Sequence, residues 1–120
     1  MLADQLDYFV GVDPHRDSHA LAVVDVVSGA VVFEATVAAS SSGYAKALRL
    51  AEERAAGRRA FAVEGTGSFG AGLTRFLTGS GERVLEVGRL RRERRTGGKT
   101  DALDAIRAAR SALATKRPGT

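Results

Sequence analysis

Cysteine is absent from this chain, which removes disulfides and thiolate zinc sites from consideration and says nothing about compartment. Only His15 and His19 remain as nitrogen ligands, a weak zinc signal. Proline is also scarce, 2 residues against 14 glycines, a balance that suggests many tight turns. No apolar run approaches the roughly 18 residues a membrane span needs, and Met1 to Asp7 carries two Asp and no basic stretch of the kind that opens a secretory signal. A cytoplasmic protein with no membrane partner is therefore expected. What is present is ordinary for a globular chain, with 44% hydrophobic and 27% charged residues in a length of 120 that fits one small domain. No internal repeat, low-complexity segment or interior linker interrupts it.

The charge is unevenly placed. The chain carries a net +4. Arg89, Arg91, Arg92, Arg94, Arg95 and Lys99 stand against Glu93 alone, so eleven residues hold +5 and the remainder sums to −1. A near-neutral domain with one basic stripe is the electrostatic footprint of a phosphate-backbone contact, although a basic run can also be a solvated loop.

The hydrophobic pattern predicts eight elements. Tyr8 to Asp13 is a continuous apolar run that stops at Pro14, as a buried strand does. Ala20–Val27 and Ala30–Val37 flank Ser28-Gly29 and predict an antiparallel hairpin. Ser40 to Gly43 offers N-caps for a helix in which Tyr44, Ala45, Leu48, Ala51 and Ala55 recur on one side, ended by Gly57. A strand over Ala60–Val63, a helix over Ser68–Thr78 packing Phe69, Leu73, Phe76 and Leu77, and a strand over Val84–Val87 follow. An Ala-rich helix over Asp101–Thr115 completes the series. The connection from the fourth strand through a helix to the fifth should be a right-handed crossover between parallel strands.

Four carboxylates stand out against this outline. Asp13 closes the first strand, Glu64 closes the fourth, and Asp101 and Asp104 share one face at the start of the last helix. Magnesium prefers oxygen ligands, and two such ions stabilise the attacking and leaving oxygens of a phosphoryl displacement. Acidic side chains converging from strand ends and a closing helix would provide that site. Each is also explicable alone, Asp13 as a turn residue before proline, Glu64 as a surface carboxylate, and Asp101 and Asp104 as partners of the helix dipole. Gly65-Thr66-Gly67-Ser68-Phe69-Gly70 forms a glycine-rich strand-to-helix turn but lacks the Lys-Ser/Thr ending of a P-loop.

Three segments carry a family resemblance. Val10 to His19 (VGVDPHRDSH), Val63 to Gly70 (VEGTGSFG) and Arg94 to Ala105 (RRTGGKTDALDA) resemble, in order, the N-terminal domain of the DEDD transposases of bacterial insertion sequences, the IS-one-ten family. The resemblance extends from about Tyr8 to Leu113. It implies an α/β, ribonuclease H-like (RuvC-like) fold with a mixed five-stranded sheet, ordered β-β-β-α-β-α-β-α. It further implies that Asp13, Glu64, Asp101 and Asp104 bind Mg²⁺ or Mn²⁺ and are catalytic. DNA is the implied partner, a structured guide RNA a second one, and the full-length protein is expected to self-associate. Arg16 stands where many members have Lys, a mild departure. Family members look like proteins of several hundred residues with a second domain carrying a nucleophilic serine. The resemblance therefore implies that residues 1–120 are the RuvC-like domain without its C-terminal companion, so that complete recombination is not expected of it alone. Two other readings fit parts of the sequence: a non-catalytic DNA- or RNA-binding or regulatory module, and an actin-like ATPase domain. The second shares the three-strand opening but needs a further subdomain for which there is no room.

Overall fold

A computed structural model describes residues 6–65 and 69–87 of the chain. Within them the order is β1 (Tyr8–Pro14), β2 (Ser18–Asp25), β3 (Val31–Ala38), α1 (Ser41–Arg54), β4 (Arg59–Glu64), α2 (Ala71–Gly79) and β5 (Val84–Val87). The five strands form one sheet in the order β3-β2-β1-β4-β5. β1 pairs antiparallel with β2, and β2 with β3, whereas β1–β4 and β4–β5 are parallel. The expected hairpin opening and the parallel fourth and fifth strands are both present. The helix expected over Asp101–Thr115 lies outside the described residues.

Burial explains why β1 and β4 read as unbroken apolar runs. As inner strands they are covered on both faces, so the period-two alternation that marks a half-exposed strand is missing. One face carries Val10, Val12, Leu21, Val23, Phe61 and Val63, against which α1 packs Ala47 and Ala51, its C-cap Ala55 joins them, and α2 packs Leu73 and Leu77. The opposite face carries Phe9, Val24, Ala60, Ala62 and Val87, with Ala20 and Ala22 beside them. Edge strand β3 does alternate. Its pairing skips one residue between Val23↔Phe33 and Val24↔Val31, which leaves Val32 half-exposed and turns Val31 to the face opposite Phe33.

Three details differ from the sequence expectation, two of them element ends and one the buried face of α1. β2 ends at Asp25 rather than Val27, because the Asp25 carboxylate accepts from Ser28 N at 3.0 Å and starts the turn early, leaving Val27 93% exposed. In α1 the buried positions are Gly43, Ala47 and Ala51, and Ala45 is exposed. The helix is rotated by the fit of Gly43 against the end of β3, where a side chain would strike the Ala38 backbone. α2 begins at Ala71 after Gly70, so Phe69 precedes the helix and is 52% exposed instead of packed. Among the described residues no helix is long and apolar enough to cross a membrane.

Candidate functional site

Strand alternation aims the two described carboxylates. Along β1, Val10 and Val12 face the helices, so Phe9, Gly11 and Asp13 point the other way. β4 behaves alike, with Phe61 and Val63 towards the helices and Ala60, Ala62 and Glu64 on the opposite face. The β1–β4 register runs to Val12↔Val63. Asp13 and Glu64 are the next residue of each strand, side by side at neighbouring C-terminal ends about 4.8 Å apart. Both are buried, Asp13 at 4% and Glu64 at 5% exposure.

The surroundings hold these side chains in place. Asp13 is flanked across β2 by Ala20, and the next small row, Ala22, Gly11 and Ala62, lies beside it on the same face. Gly65, in a left-handed conformation at φ 44, turns the chain immediately after Glu64 and donates its N–H to Val87 O at 3.1 Å. The turn after β1 is closed by His15 N donating to Ser18 O at 2.9 Å. That turn brings His15 Nε2 to 2.8 Å from Asp13 Oδ2, with the imidazole 45% and the carboxylate 6% exposed.

The second histidine serves the other face. His19 is fully buried, its ring stacked on Tyr44 of α1 at a centroid distance of 6.0 Å. Its Nδ1–H donates to Ser18 O at 3.0 Å. Burial lowers its pKa below the ordinary 6.5, opposed by the Ser18 hydrogen bond and reinforced by the His15 charge. His19 is therefore a neutral packing group, separate from the carboxylates.

Of the residues singled out in the sequence, the structure brings Asp13 and Glu64 together. Asp101 and Asp104 lie outside the described residues, as do Arg89, Arg91, Arg92, Arg94, Arg95 and Lys99. Thr66, Gly67 and Ser68 of the glycine-rich turn are outside them too. Among the described residues no group of three or more His, Asp or Glu side chains is close enough to hold a metal ion. The donors that do meet, two carboxylates, are hard oxygen ligands of the kind magnesium and manganese take, so their chemistry fits such an ion as part of a larger set. Sequence reasoning missed the approach of His15 to Asp13. The only local signal was the spacing Asp-Pro-His, which leaves both side chains on one side of an extended segment.

A family model for IS110-type DEDD transposases, described as a transposase, matches residues 10–119. The chain belongs to the DEDD transposase family. This transposase domain also shares its fold with solved structures. RuvC of T. thermophilus, determined in complex with a Holliday junction substrate, superposes with a TM-score of 0.63 at 15% identity, covering 91% of this chain and 94% of RuvC. The large terminase nuclease of the thermophilic phage G20c gives a TM-score of 0.52 at 17% identity over 67% of this chain and 43% of that one. At such identities the likeness establishes the fold, a ribonuclease H-like one. No curated protein matches the transposase chain significantly.

Proposed function

We propose that this transposase domain cleaves and transfers DNA strands with the help of divalent cations, as the catalytic part of a larger recombinase. Asp13 and Glu64 would hold Mg²⁺ or Mn²⁺ together with Asp101 and Asp104. The observation that carries this reading is the pair of buried carboxylates, adjacent on parallel strands and aimed to one face, in a member of this family. When bound, such an ion stabilises charge on the attacking and leaving oxygens of a phosphoryl displacement. The protein's own part is to fix the direction of the ligands on a rigid sheet.

A feature of the sheet face favours a role for Asp101 and Asp104 as the remaining two ligands. Gly11, Ala20, Ala22 and Ala62 form a shallow floor next to the carboxylates and are buried, although α1 and α2 both pack on the opposite face. A closing Ala-rich helix over Asp101–Thr115 seated on that floor would deliver Asp101 and Asp104 to Asp13 and Glu64. The basic stripe Arg89, Arg91, Arg92, Arg94, Arg95 and Lys99 would then hold a phosphate backbone beside the site. DNA is the proposed partner, with a structured guide RNA and self-association as properties of the complete protein.

Paramagnetic line broadening by Mn²⁺ tests the site in the 120-residue protein. Selective broadening at Asp13, Glu64, Asp101 and Asp104 is expected, with metal-dependent cleavage of DNA to follow. Broadening at none of the four would reduce the domain to its alternative role, a DNA- or RNA-binding or regulatory module. That role predicts salt-dependent binding without metal-dependent cleavage.

A further inference from the structure

His15 has a chemical relation to Asp13 that its surroundings make specific. The imidazole is not buried for packing, since nearly half of it is exposed, yet its inner nitrogen reaches a carboxylate that is almost wholly enclosed. The turn that carries it is pinned at both ends. His15 N donates to Ser18 O at 2.9 Å, and Ala39 N donates to Asp17 O at 3.0 Å, tying the turn to the chain leaving β3. Pro14, still paired with His19 in the β1–β2 ladder, restricts the backbone between Asp13 and His15. The backbone that carries the ring is thus held beside Asp13.

A carboxylate on a fixed strand still has freedom about its terminal torsion, whose energy wells are broad. A donor on one oxygen removes that freedom and sets the plane in which the other oxygen points. Both the Nε2–H tautomer and the imidazolium present a donor to Oδ2, so the contact does not depend on the charge of the ring. Partners of this kind around metal-binding groups change metal affinity by about 10- to 100-fold when removed.

We propose that His15 is a positioning residue, which by donating Nε2–H to Asp13 Oδ2 fixes the carboxylate plane in which Asp13 meets a divalent cation. This rests on the reading of Asp13 and Glu64 as cation ligands. It adds a group that supports one of those ligands from outside the four-carboxylate set.

The test is Mn²⁺ affinity of the 120-residue protein, read from the electron paramagnetic resonance signal of free Mn²⁺, for wild type, His15→Gln and His15→Leu. Leu removes the donor, whereas Gln places an amide N–H at similar reach. The dissociation constant should rise about tenfold in His15→Leu and stay within about threefold of wild type in His15→Gln. Metal-free thermal unfolding should be alike in all three, as expected for a half-exposed turn residue. Unchanged or tighter binding by His15→Leu overturns the proposal, and so does a Gln variant as weak as Leu. Wild type that binds no Mn²⁺ removes the cation site itself, a failure distinguishable from the other two. Independently of any variant, the imidazole nitrogen spectrum of the metal-free wild type should show a proton on His15 Nε2. A bare Nε2 there would mean that His15 donates nothing to Asp13, which refutes the assignment.

Discussion

Gly43→Ala sets two physical effects of opposite sign against each other. Helix propensity alone favours the change, because alanine in a helix interior is better than glycine by roughly 1 kcal/mol. The tertiary fit opposes it. A Cβ at position 43 would lie 2.6 Å from the carbonyl carbon and 2.8 Å from the nitrogen of Ala38, and closer still to its oxygen. Contacts under 3.0 Å essentially never occur for a Cβ, and the obstacle is backbone rather than the flexible end of a side chain. Either the first turn of α1 or the end of β3 must move. Overpacking a well-filled site costs about 1–3 kcal/mol and occasionally more. Here the displaced groups also include the Ser40 cap, whose side chain accepts from Gly43 N at 3.3 Å and is worth about 1 kcal/mol. Summed against the propensity gain, a net loss of about 1–3 kcal/mol is expected, or a fall in Tm of roughly 3–15 °C for a domain of this size. Urea denaturation with an unchanged m-value would measure it. A variant as stable as wild type, or more so, would show that the approach of α1 to β3 is not fixed by Gly43.

The same assay separates other contributions. Phe61→Ala, which empties a fully buried position in the helix-side core, should cost about 3–5 kcal/mol; a loss below 1 kcal/mol would mean that the site collapses freely. Arg59 donates from Nε and Nη2 to both oxygens of Glu82, at 3.0 and 2.8 Å, in a pair only 14% exposed. Arg59→Ala should cost roughly 1–3 kcal/mol by leaving Glu82 alone, and Arg59→Ala/Glu82→Ala should cost less than the two single losses added together. The pH dependence of stability should carry the mark of His19. Its folded pKa lies below the unfolded 6.5, so the unfolded state binds more protons between the two values. The stability of the neutral, buried ring is complete above pH 6.5 and is lost as pH falls through 6.5 towards the folded value. In His19→Gln that part of the pH profile should flatten, and an unaltered profile would assign it to other groups. For the basic stripe, replacing Arg91, Arg92, Arg94 and Arg95 with Ala should reduce the slope of log K against log salt by about 0.9 for each duplex-DNA phosphate that is no longer neutralised. An unchanged slope would place the DNA-binding surface elsewhere.

Much of the architecture was legible because local signals and burial coincide in it. The unbroken apolar runs of β1 and β4 announce inner strands, the Ser40 cap marks the start of α1, and the apolar strands separated by a helix announce a parallel pair. Asp13 and Glu64 could be picked out as strand-ending carboxylates, and the order of the three motifs identified the family. Strand and helix ends were less legible, because they depend on hydrogen bonds that compete with the ladder. Asp25 ends β2 by capturing Ser28 N, and Phe69 falls outside α2 because the helix waits for Gly70 to clear Pro14 and Val63.

By itself the amino-acid sequence determined the order of the seven described elements, the family, and the residue types from which a cation site can be built, since those follow from periodicity, turn chemistry and motif order. Only the tertiary structure decided that Asp13 and Glu64 are neighbours on one face. That depends on the β1–β4 register, and a one-residue slip would have sent one of them to the helix side. It also decided between two histidines four residues apart. His15 reaches a carboxylate and His19 is stacked in the core, because the turn between them reverses the chain and places them on opposite faces of the sheet.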